Sequence, residues 1–312
     1  MNILFFGTSE FAVPALEALA TAGLKPAVVV TLPDRPQGRG LEVLPSPVKI
    51  SAAKLGIAVL QPETVSDPDF LKKLSETSWD VGVIAAYGKI IPQSIIDIPK
   101  KGFLNIHPSM LPELRGPSPI QAAILEGKEK TGVTIIVVDS QMDHGPILLQ
   151  EEMPIETDDT SETLGERLSE KGAELLAQAL PQWMNDSLPA KPQNDSKATF
   201  CKIIEKEDGH INWMKDAEAI DRQIRAFQPW PGTFSFIKTG AHALRIKIIR
   251  ARAKTADERK SPGLIERYNH AMIMWTGNGF LSILEVQPEG KRAMSGEEFL
   301  NGHQFAINTI VS

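Results

Sequence analysis

The sequence predicts an α/β fold: a Rossmann-like, mostly parallel sheet with helices on both faces, followed by a smaller, mainly β, barrel-like C-terminal domain. First, short apolar runs alternate with helical segments through the first half of the chain. Second, these runs are apolar on both faces, which is typical of strands buried inside a parallel sheet. Third, β-type patterns predominate beyond residues 186–199, a segment rich in Pro, Ser, Asn and Asp that reads as a linker. A chain of 312 residues also favours two domains over one.

Six strands and five helices are expected in the first domain. Each strand candidate is short, β-branched or aromatic, and bounded by Gly, Pro or charge. The predicted strands are residues 2–6, 27–31, 57–60, 81–86, 103–106 and 133–138. The predicted helices are residues 9–22, 47–55, 67–77, 117–126 and 160–184, the last behind a capping pair of Asp159 and Glu162. In such a sheet, a ligand binds beyond the carboxyl ends of the strands.

The second domain is predicted to carry one helix and several strands with a basic face. A helix is expected over 216–227, and strands over 233–238, 243–254, 271–275 and 279–286. The segment ALRIKIIRARAK places basic residues on alternate positions, with one slip near Ile249 that a β-bulge would explain. We call four of them the basic stripe: Arg245, Lys247, Arg250 and Arg252. Such a stripe is either a solvated polar face or a nucleic-acid contact.

Composition indicates an ordinary globular protein whose halves differ in charge. The net charge of −6 divides into −10 for residues 1–188 (15 Lys+Arg, 25 Asp+Glu) and +4 for residues 189–312 (18 and 14). A polyanionic partner would therefore favour the second half. The lone cysteine, Cys201, cannot form an internal disulfide and fits a reducing compartment. The start MNILFFGTSEF lacks signal-peptide features and no run approaches the ~18 apolar residues of a membrane helix, so we expect a cytoplasmic protein without membrane contact.

The stretch FLNIHPSMLPELRGPSP suggests a reactive site. Asn105 and His107 are two residues apart near a strand end, so their side chains point the same way and can converge on one small object. Four prolines then stiffen the following loop. A second loop, VVDSQMDHGPILL, carries two carboxylates, Asp139 and Asp143.

Several kinds of chemistry are disfavoured by missing patterns. FFGTSEF has one glycine rather than G-x-G-x-x-G, and neither a phosphate-binding P-loop nor a G-x-S-x-G nucleophile elbow occurs. His107 and Asp143 could be two ligands of a metal, but no third lies at a recognisable spacing, so we expect no metal. What remains is addition to a carbonyl, in which Asn105 and a charged His107 donate to the oxyanion and a carboxylate orients the imidazole. Singly, each residue could instead be a cap, a core histidine or a turn former.

N-I-H-P-S-M-L-P followed some thirty residues later by M-D-H-G-P-I-L resembles the formyltransferases that use 10-formyltetrahydrofolate as co-substrate. The resemblance implies a catalytic set of Asn105, His107 and Asp143. It also implies that two loops bind the folate and that residues 139–143 close over the pterin ring. The implied folate-binding residues are Ala86, Tyr87, Gly88, Lys89, Ile90, Ser109, Met110, Leu111, Pro112 and Asp139.

Four further segments resemble the branch of this family that formylates the initiator methionyl-tRNA: FFGTSEFAVPAL, VIAAYGKIIP, FQPWPGTF and the loop TLPDRPQGRGLEVLPSPVK at 31–49. In that branch the loop contacts the acceptor end of the tRNA, which implies Arg35 and Arg39 as contacts. The two positions after G-R-G, often lysines in that branch, are Leu41 and Glu42. We therefore expect the tRNA contact to fall on Arg39 and the basic stripe.

The resemblance also implies a division of the chain and its partners. We expect a formyltransferase catalytic domain at 1–188, a linker at 189–207 and a barrel-like tRNA-binding domain at 208–312, in a protein that acts as a monomer. Three alternatives stay open: a sister enzyme that formylates a sugar nucleotide or hydrolyses formyltetrahydrofolate, a non-catalytic tRNA-binding protein, and a nicotinamide dehydrogenase.

Overall fold

The computed structural model describes residues 1–37, 42–239 and 242–311. Its residues divide into two compact units, each assembled from separate stretches of the chain. The first unit comprises Met1–Pro119, Lys130–Pro154 and Gly165–Cys201. The second unit comprises Ile120–Glu129, Ile155–Leu164 and Lys202–Ser312.

The first unit contains a seven-stranded, mostly parallel sheet. Its strands are β1 (Ile3–Gly7), β2 (Val28–Val30), β5 (Ala58–Leu60), β6 (Val81–Ala85), β7 (Phe103–His107), β8 (Lys130–Val137) and β9 (Ile147–Pro154). They lie in the order β5-β2-β1-β6-β7-β8-β9. The first five strands are parallel, whereas β8 is antiparallel to β7 and β9 is antiparallel to β8. The predicted α/β fold with a mostly parallel sheet is confirmed.

Two features of this sheet were not expected from the sequence. The predicted strand at 133–138 is antiparallel to its neighbour, and its apolar run could not indicate this because the strand lies inside the sheet and is buried on both faces whichever way it runs. Strand β9 is at the sheet edge and mostly exposed, so its residues QEEMP do not form an apolar pattern. Within the loop at 31–49, β3 (Arg35–Gln37) and β4 (Glu42–Leu44) form a small antiparallel hairpin.

The predicted helices form close to their expected bounds. They are α1 (Val13–Thr21), α2 (Pro47–Lys54), α3 (Pro68–Ser75), α5 (Pro119–Leu125) and α6 (Ser161–Met184), and a short helix α4 (Gln93–Ile96) was not predicted. Proline at the start and a capping side chain explain where α2 and α3 begin. The Ser46 hydroxyl accepts from Lys49 N at 3.1 Å, and the Asp67 carboxylate accepts from Phe70 N at 2.9 Å.

One core cluster of the first unit contains an aromatic group beside the parallel strands. The Phe6 ring meets those of Tyr87 and Phe103 edge to face, with centroids 5.1 and 5.6 Å apart. Phe103 fills the space above Gly82 on β6, where a Cβ would overlap its ring. Packing here therefore fixes β7 against β6.

The second unit contains an antiparallel sheet, two further helices and, through its stretches Ile120–Glu129 and Ile155–Leu164, most of α5 and the first turn of α6. The further helices are α7 (Ala217–Ala226) and α8 (Gly296–Gly302), and the strands are β10 (Thr233–Thr239), β11 (His242–Lys254), β12 (Ile265–Tyr268), β13 (Ala271–Trp275), β14 (Phe280–Pro288) and β15 (Met294–Ser295). The order is β10-β11-β14-β13-β12, with β15 on β14. The register of β11 against β14 slips between Ile248 and Arg250 and again before Ala251, which confirms the predicted bulge. In the described part of the chain, no helix is both long and apolar enough to cross a membrane.

Candidate active site

Strand β7 places Asn105 and His107 on one face of the sheet. Asn105 pairs with Ile84 of β6 on one side and Ile136 of β8 on the other, so it lies inside the sheet rather than at its rim. His107 is the last residue of β7 and is 4% exposed. The backbone of both residues is therefore fixed by neighbouring strands.

Asp143 approaches both side chains from the loop between β8 and β9. Its Oδ1 is 3.4 Å from Asn105 Nδ2 and 3.5 Å from His107 Nδ1. Its Oδ2 accepts a hydrogen bond from the Gly116 amide at 2.9 Å. A Cβ on Gly116 would lie 2.5 Å from the Cys201 carbonyl oxygen, so only glycine lets the backbone at position 116 pass this close to Cys201. The structure brings Asn105, His107 and Asp143 together.

Each ring nitrogen of His107 faces a partner. Its Nε2 is 3.0 Å from the carbonyl oxygen of Leu114. A carbonyl only accepts, so Nε2 carries a proton. Nδ1 faces Asp143 Oδ1 at 3.5 Å, so the two groups form an ion pair when the imidazole is protonated.

The loop after β7 is held by polar contacts from β8 and β9. The Thr134 hydroxyl donates to the carbonyl oxygen of Ser109 at 2.7 Å and accepts from Leu111 N at 3.2 Å. Gln150 Nε2 donates to the Leu111 carbonyl oxygen at 2.7 Å. The Leu111–Pro112 bond is cis, and Met110 covers Gly132. These contacts fix the predicted folate-binding residues 109–112 in one path.

The loop after β6 turns sharply because Ala86 and Gly88 have φ of 41° and 90°. The Ala86 carbonyl accepts from Thr8 N at 3.2 Å, and the Tyr87 carbonyl accepts from the Thr8 hydroxyl at 2.8 Å. Burial raises the pKa of Tyr87 to about 12. Lys89 Nζ donates to the Glu63 carbonyl oxygen at 2.7 Å, whereas Ile90 is 81% exposed. The loop is anchored inward and presents one apolar side chain outward.

A cleft of about 620 Å³ opens beside the loop that carries Asp143. Asp139 lines it, whereas the catalytic candidates do not. The cleft and the three side chains share one loop: Val138, Asp139 and Ser140 line the cleft, and the same loop carries Asp143. Ser140, from the predicted closing segment 139–143, also lines the cleft, whereas the sequence did not indicate the remaining lining residues, which are Gln93, Ile96, Asp97, Pro99, Gly102 and Val138.

A polar network behind the Asp143 loop was also missed. Arg115 is 4% exposed, and its guanidinium donates to Gln193 and to Asp195. His144 Nδ1 lies 2.6 Å from Asp139 Oδ2, and this hydrogen bond raises the pKa of His144. Gln193 bonds to residues 50 and 78 positions away, so no local pattern could reveal it.

The candidate tRNA contacts lie in two places. Arg35 is exposed at the start of β3, and Arg39 lies outside the described residues. In the basic stripe, Lys247 and Arg250 are exposed, whereas the Arg245 guanidinium lies 4.0 Å from the centroid of the Phe234 ring. Arg252 Nη2 pairs with Asp158 Oδ2 at 2.7 Å. Since Ile246, Ile248 and Ala251 are buried, the stripe faces away from the core of this unit.

Family models and related proteins match nearly the whole chain. The family model described as formyl transferase matches residues 1–180, and that described as formyl transferase, C-terminal domain, matches residues 203–304. Proteins named methionyl-tRNA formyltransferase are similar to this chain over nearly the whole length of both. The one from Thermodesulfovibrio yellowstonii is 41% identical over 97% of this chain and 96% of its own. The one from Caldanaerobacter subterraneus is 41% identical over all of both chains.

Solved structures share the fold at low identity. An N-formyltransferase from Helicobacter canadensis, in complex with folinic acid and dTDP-3-aminofucose, has a TM-score of 0.66 at 20% identity and covers 91% of this chain and 98% of its own. HypX from Aquifex aeolicus, in complex with tetrahydrofolic acid, has a TM-score of 0.64 at 18% identity, over 98% of this chain and 48% of its own. At these identities the likeness is one of fold.

Proposed function

The chain belongs to the methionyl-tRNA formyltransferase family, and from this premise we propose that it transfers the formyl group of 10-formyltetrahydrofolate to the α-amino group of initiator methionyl-tRNA. The product is N-formylmethionyl-tRNA, which serves translation initiation. The observation that carries the proposal is that Asn105 Nδ2 and His107 Nδ1 lie 3.4 and 3.5 Å from the same oxygen atom, Asp143 Oδ1. An amide donor, an imidazole and a carboxylate are the groups that direct addition to a carbonyl requires.

Asn105 and His107 supply the oxyanion site. When the amine attacks the formyl carbon, negative charge develops on the formyl oxygen. Asn105 Nδ2 and His107 Nδ1 both face the space held by Asp143 Oδ1, so they can donate to a neighbouring oxygen with little rearrangement. Strand pairing holds the Asn105 backbone in place, so these donors need little reorganisation during the reaction.

Asp143 is proposed to transfer the protons that the reaction moves between the amine and N10. A nitrogen–carbon bond forms to the amine while the bond from the formyl carbon to N10 of the folate breaks. The amine nitrogen must lose a proton, and N10 must gain one. Asp143 can accept the proton that the amine loses and deliver a proton to N10, either directly or through water, and no covalent enzyme intermediate is needed. Asp143 also orients the imidazole.

The folate is proposed to bind in the cleft beside the Asp143 loop. Asp139 lines that cleft, and the predicted folate-binding segments 86–90 and 109–112 belong to the same unit. An apolar wall with a few polar groups suits a planar pterin ring. Ile96 and Val138 supply apolar surface, and Asp97 and Asp139 supply hydrogen-bond acceptors.

The tRNA is proposed to bind the basic stripe together with Arg35 and Arg39. Lys247 and Arg250 are exposed on the outer face of β11, where phosphate groups could approach them. We further propose a monomeric, cytoplasmic enzyme without a metal. Among the described residues, no group of three or more His, Cys, Asp and Glu side chains could hold a metal ion.

Transfer of labelled formyl from 10-formyltetrahydrofolate to methionyl-tRNA tests the proposal. Uncharged tRNA serves as the control, because it lacks the acceptor amine. We expect label on the charged tRNA alone. Label released as free formate without tRNA would indicate a hydrolase, and label on an amino-sugar nucleotide in place of tRNA would indicate a sister formyltransferase. Either result would overturn the proposed acceptor.

A further inference from the structure

Gln193 lies in the segment that the sequence suggested as a linker, yet it contacts the loop that carries Asp143. Its Nε2 donates to the carbonyl oxygens of Asp143 and Gly145, both at 2.8 Å. Both amide protons of one side chain are therefore used on the backbone of one loop. The segment itself is joined to the first unit by a bridge between Lys191 and Ile147.

The loop needs such support because its backbone is strained. Asp143 has φ of 51°, in the left-handed region that disfavours residues with a Cβ. Next to it, a Cβ on Gly145 would overlap the Val137 carbonyl oxygen, so the loop lies tightly against the end of β8. The two hydrogen bonds from Gln193 hold the carbonyls on either side of His144.

Arg115 determines which way the Gln193 amide points. Its Nε and Nη2 donate to Gln193 Oε1 at 3.0 and 2.8 Å. A guanidinium has no acceptor, so the oxygen of the amide must face Arg115 and the nitrogen must face the loop. Asp195 Oδ1 balances the buried charge at 2.7 Å from Arg115 Nη2. The orientation of Gln193 is thus fixed by chemistry rather than by packing alone.

We propose that Gln193 is a positioning residue for the proposed formyl transfer: it holds the backbone of Asp143 so that Oδ1 meets Asn105 and His107. This inference rests on the proposed function. Gln193 touches neither Asn105 nor His107 through any of the hydrogen bonds described above, so its effect must pass through Asp143. Displacement of a reacting group by about 1 Å can cost about a hundredfold in rate.

The test compares three single variants by steady-state formylation of methionyl-tRNA. Gln193→Leu removes donor and acceptor, whereas Gln193→Glu keeps the size and the acceptor for Arg115 but cannot donate to the loop carbonyls. We expect both to lower kcat by at least about tenfold, with little change in KM for either substrate. Gln182→Leu, the same change at an exposed glutamine of α6 whose Nε2 donates to the Gln178 carbonyl oxygen one turn earlier, should keep wild-type kcat.

A double-mutant cycle separates positioning from general destabilisation. In an Asp143→Asn background, Gln193→Leu should lower kcat by less than about twofold, because the group that it positions is already impaired. Equal fold losses in both backgrounds, wild-type kcat in Gln193→Leu, or full activity in Gln193→Glu would each overturn the inference. So would loss of folding in both Gln193 variants, since Gln193 would then act on stability. If the wild-type protein itself does not formylate methionyl-tRNA, the proposed function fails before any variant is compared.

Discussion

Asp143 Oδ1 is the point on which the candidate site converges. Two donors face it, and the other oxygen of the same carboxylate is held by the Gly116 amide. A carboxylate held in this way cannot rotate without losing at least one contact. The residue therefore keeps the Asn105 amide and the His107 imidazole directed at a common space.

Removing a donor at this point should mainly affect turnover. We expect Asn105→Ala to lower kcat by about a hundredfold or more, because one oxyanion donor is lost, and Asp143→Ala to do at least as much. KM for either substrate should change far less, since these contacts strengthen in the transition state. Asn2→Ala, which removes an exposed asparagine of the same unit, is the matched control. Near-normal kcat in Asn105→Ala would remove that residue from the mechanism.

His144 should make stability depend on pH. The hydrogen bond to Asp139 raises its pKa above the ordinary value of 6.5. A folded-state pKa above the unfolded value stabilises the protein fully below the unfolded pKa, and this contribution is lost as pH rises through the raised value. Against His144→Gln, which cannot be charged, the wild-type advantage in free energy of unfolding should be larger at about pH 5.5 than at about pH 8.5. Urea denaturation at both pH values measures it. An advantage that does not change with pH would contradict the assignment.

At the scale of elements, the contact of β6 with β7 positions the site. Gly82 lies under the Phe103 ring, and Asn105 follows two residues later on the same strand. A methyl group at position 82 would overlap that ring, so either β7 must move or the core must open. The position of the donors therefore depends on a glycine that never touches them.

Gly82→Ala should lower both stability and activity. Overpacking of this kind costs about 1–3 kcal/mol, and any shift of β7 displaces Asn105 and His107. We expect a lower midpoint in urea denaturation, and a loss of kcat under conditions where the variant is still folded. Gly302→Ala is the matched control, because nothing lies within 4 Å of its added Cβ. An unchanged midpoint in Gly82→Ala would show that the ring moves aside freely.

The same elements show what the sequence could and could not predict. The strands around β1 and β6 were predictable because their apolar runs are short and bounded by turn residues. The direction of β8 was not, because the connection from β7 is long enough for either a crossover or a return. The candidate set in β7 and the β8–β9 loop was found through motif resemblance. Arg115 and Gln193 were missed because their contacts join residues far apart in the chain.

At the scale of the whole molecule, the proposed tRNA surface rests on a modest excess of positive charge in the second half. Reversing Arg250 and Arg252 to Glu should weaken binding of methionyl-tRNA and reduce its salt dependence, because phosphate contacts are lost. Affinity for 10-formyltetrahydrofolate should not change. A filter-binding titration at several salt concentrations measures the binding of methionyl-tRNA. Equilibrium dialysis measures the affinity for 10-formyltetrahydrofolate.

The control for this variant keeps its charge change. Arg259→Glu with Arg267→Glu alters two exposed arginines of the same unit by the same total of −4. Arg267 lies on β12, at the opposite edge of the sheet from β10. If both double variants lose tRNA equally, net charge rather than the basic stripe governs binding. If tRNA and folate affinity fall together, the variant has lost its fold.

The interleaving of the two units limits how the chain can be divided. The chain passes from one unit to the other at positions 119/120, 129/130, 154/155, 164/165 and 201/202. A fragment that stops at residue 180, where the first family match ends, would lack Gln193 and its hydrogen bond to the Asp143 carbonyl oxygen. A fragment that starts at residue 202 would discard the stretches 120–129 and 155–164 of its own unit. No single cut in the chain separates the two units, because every cut divides at least one of them.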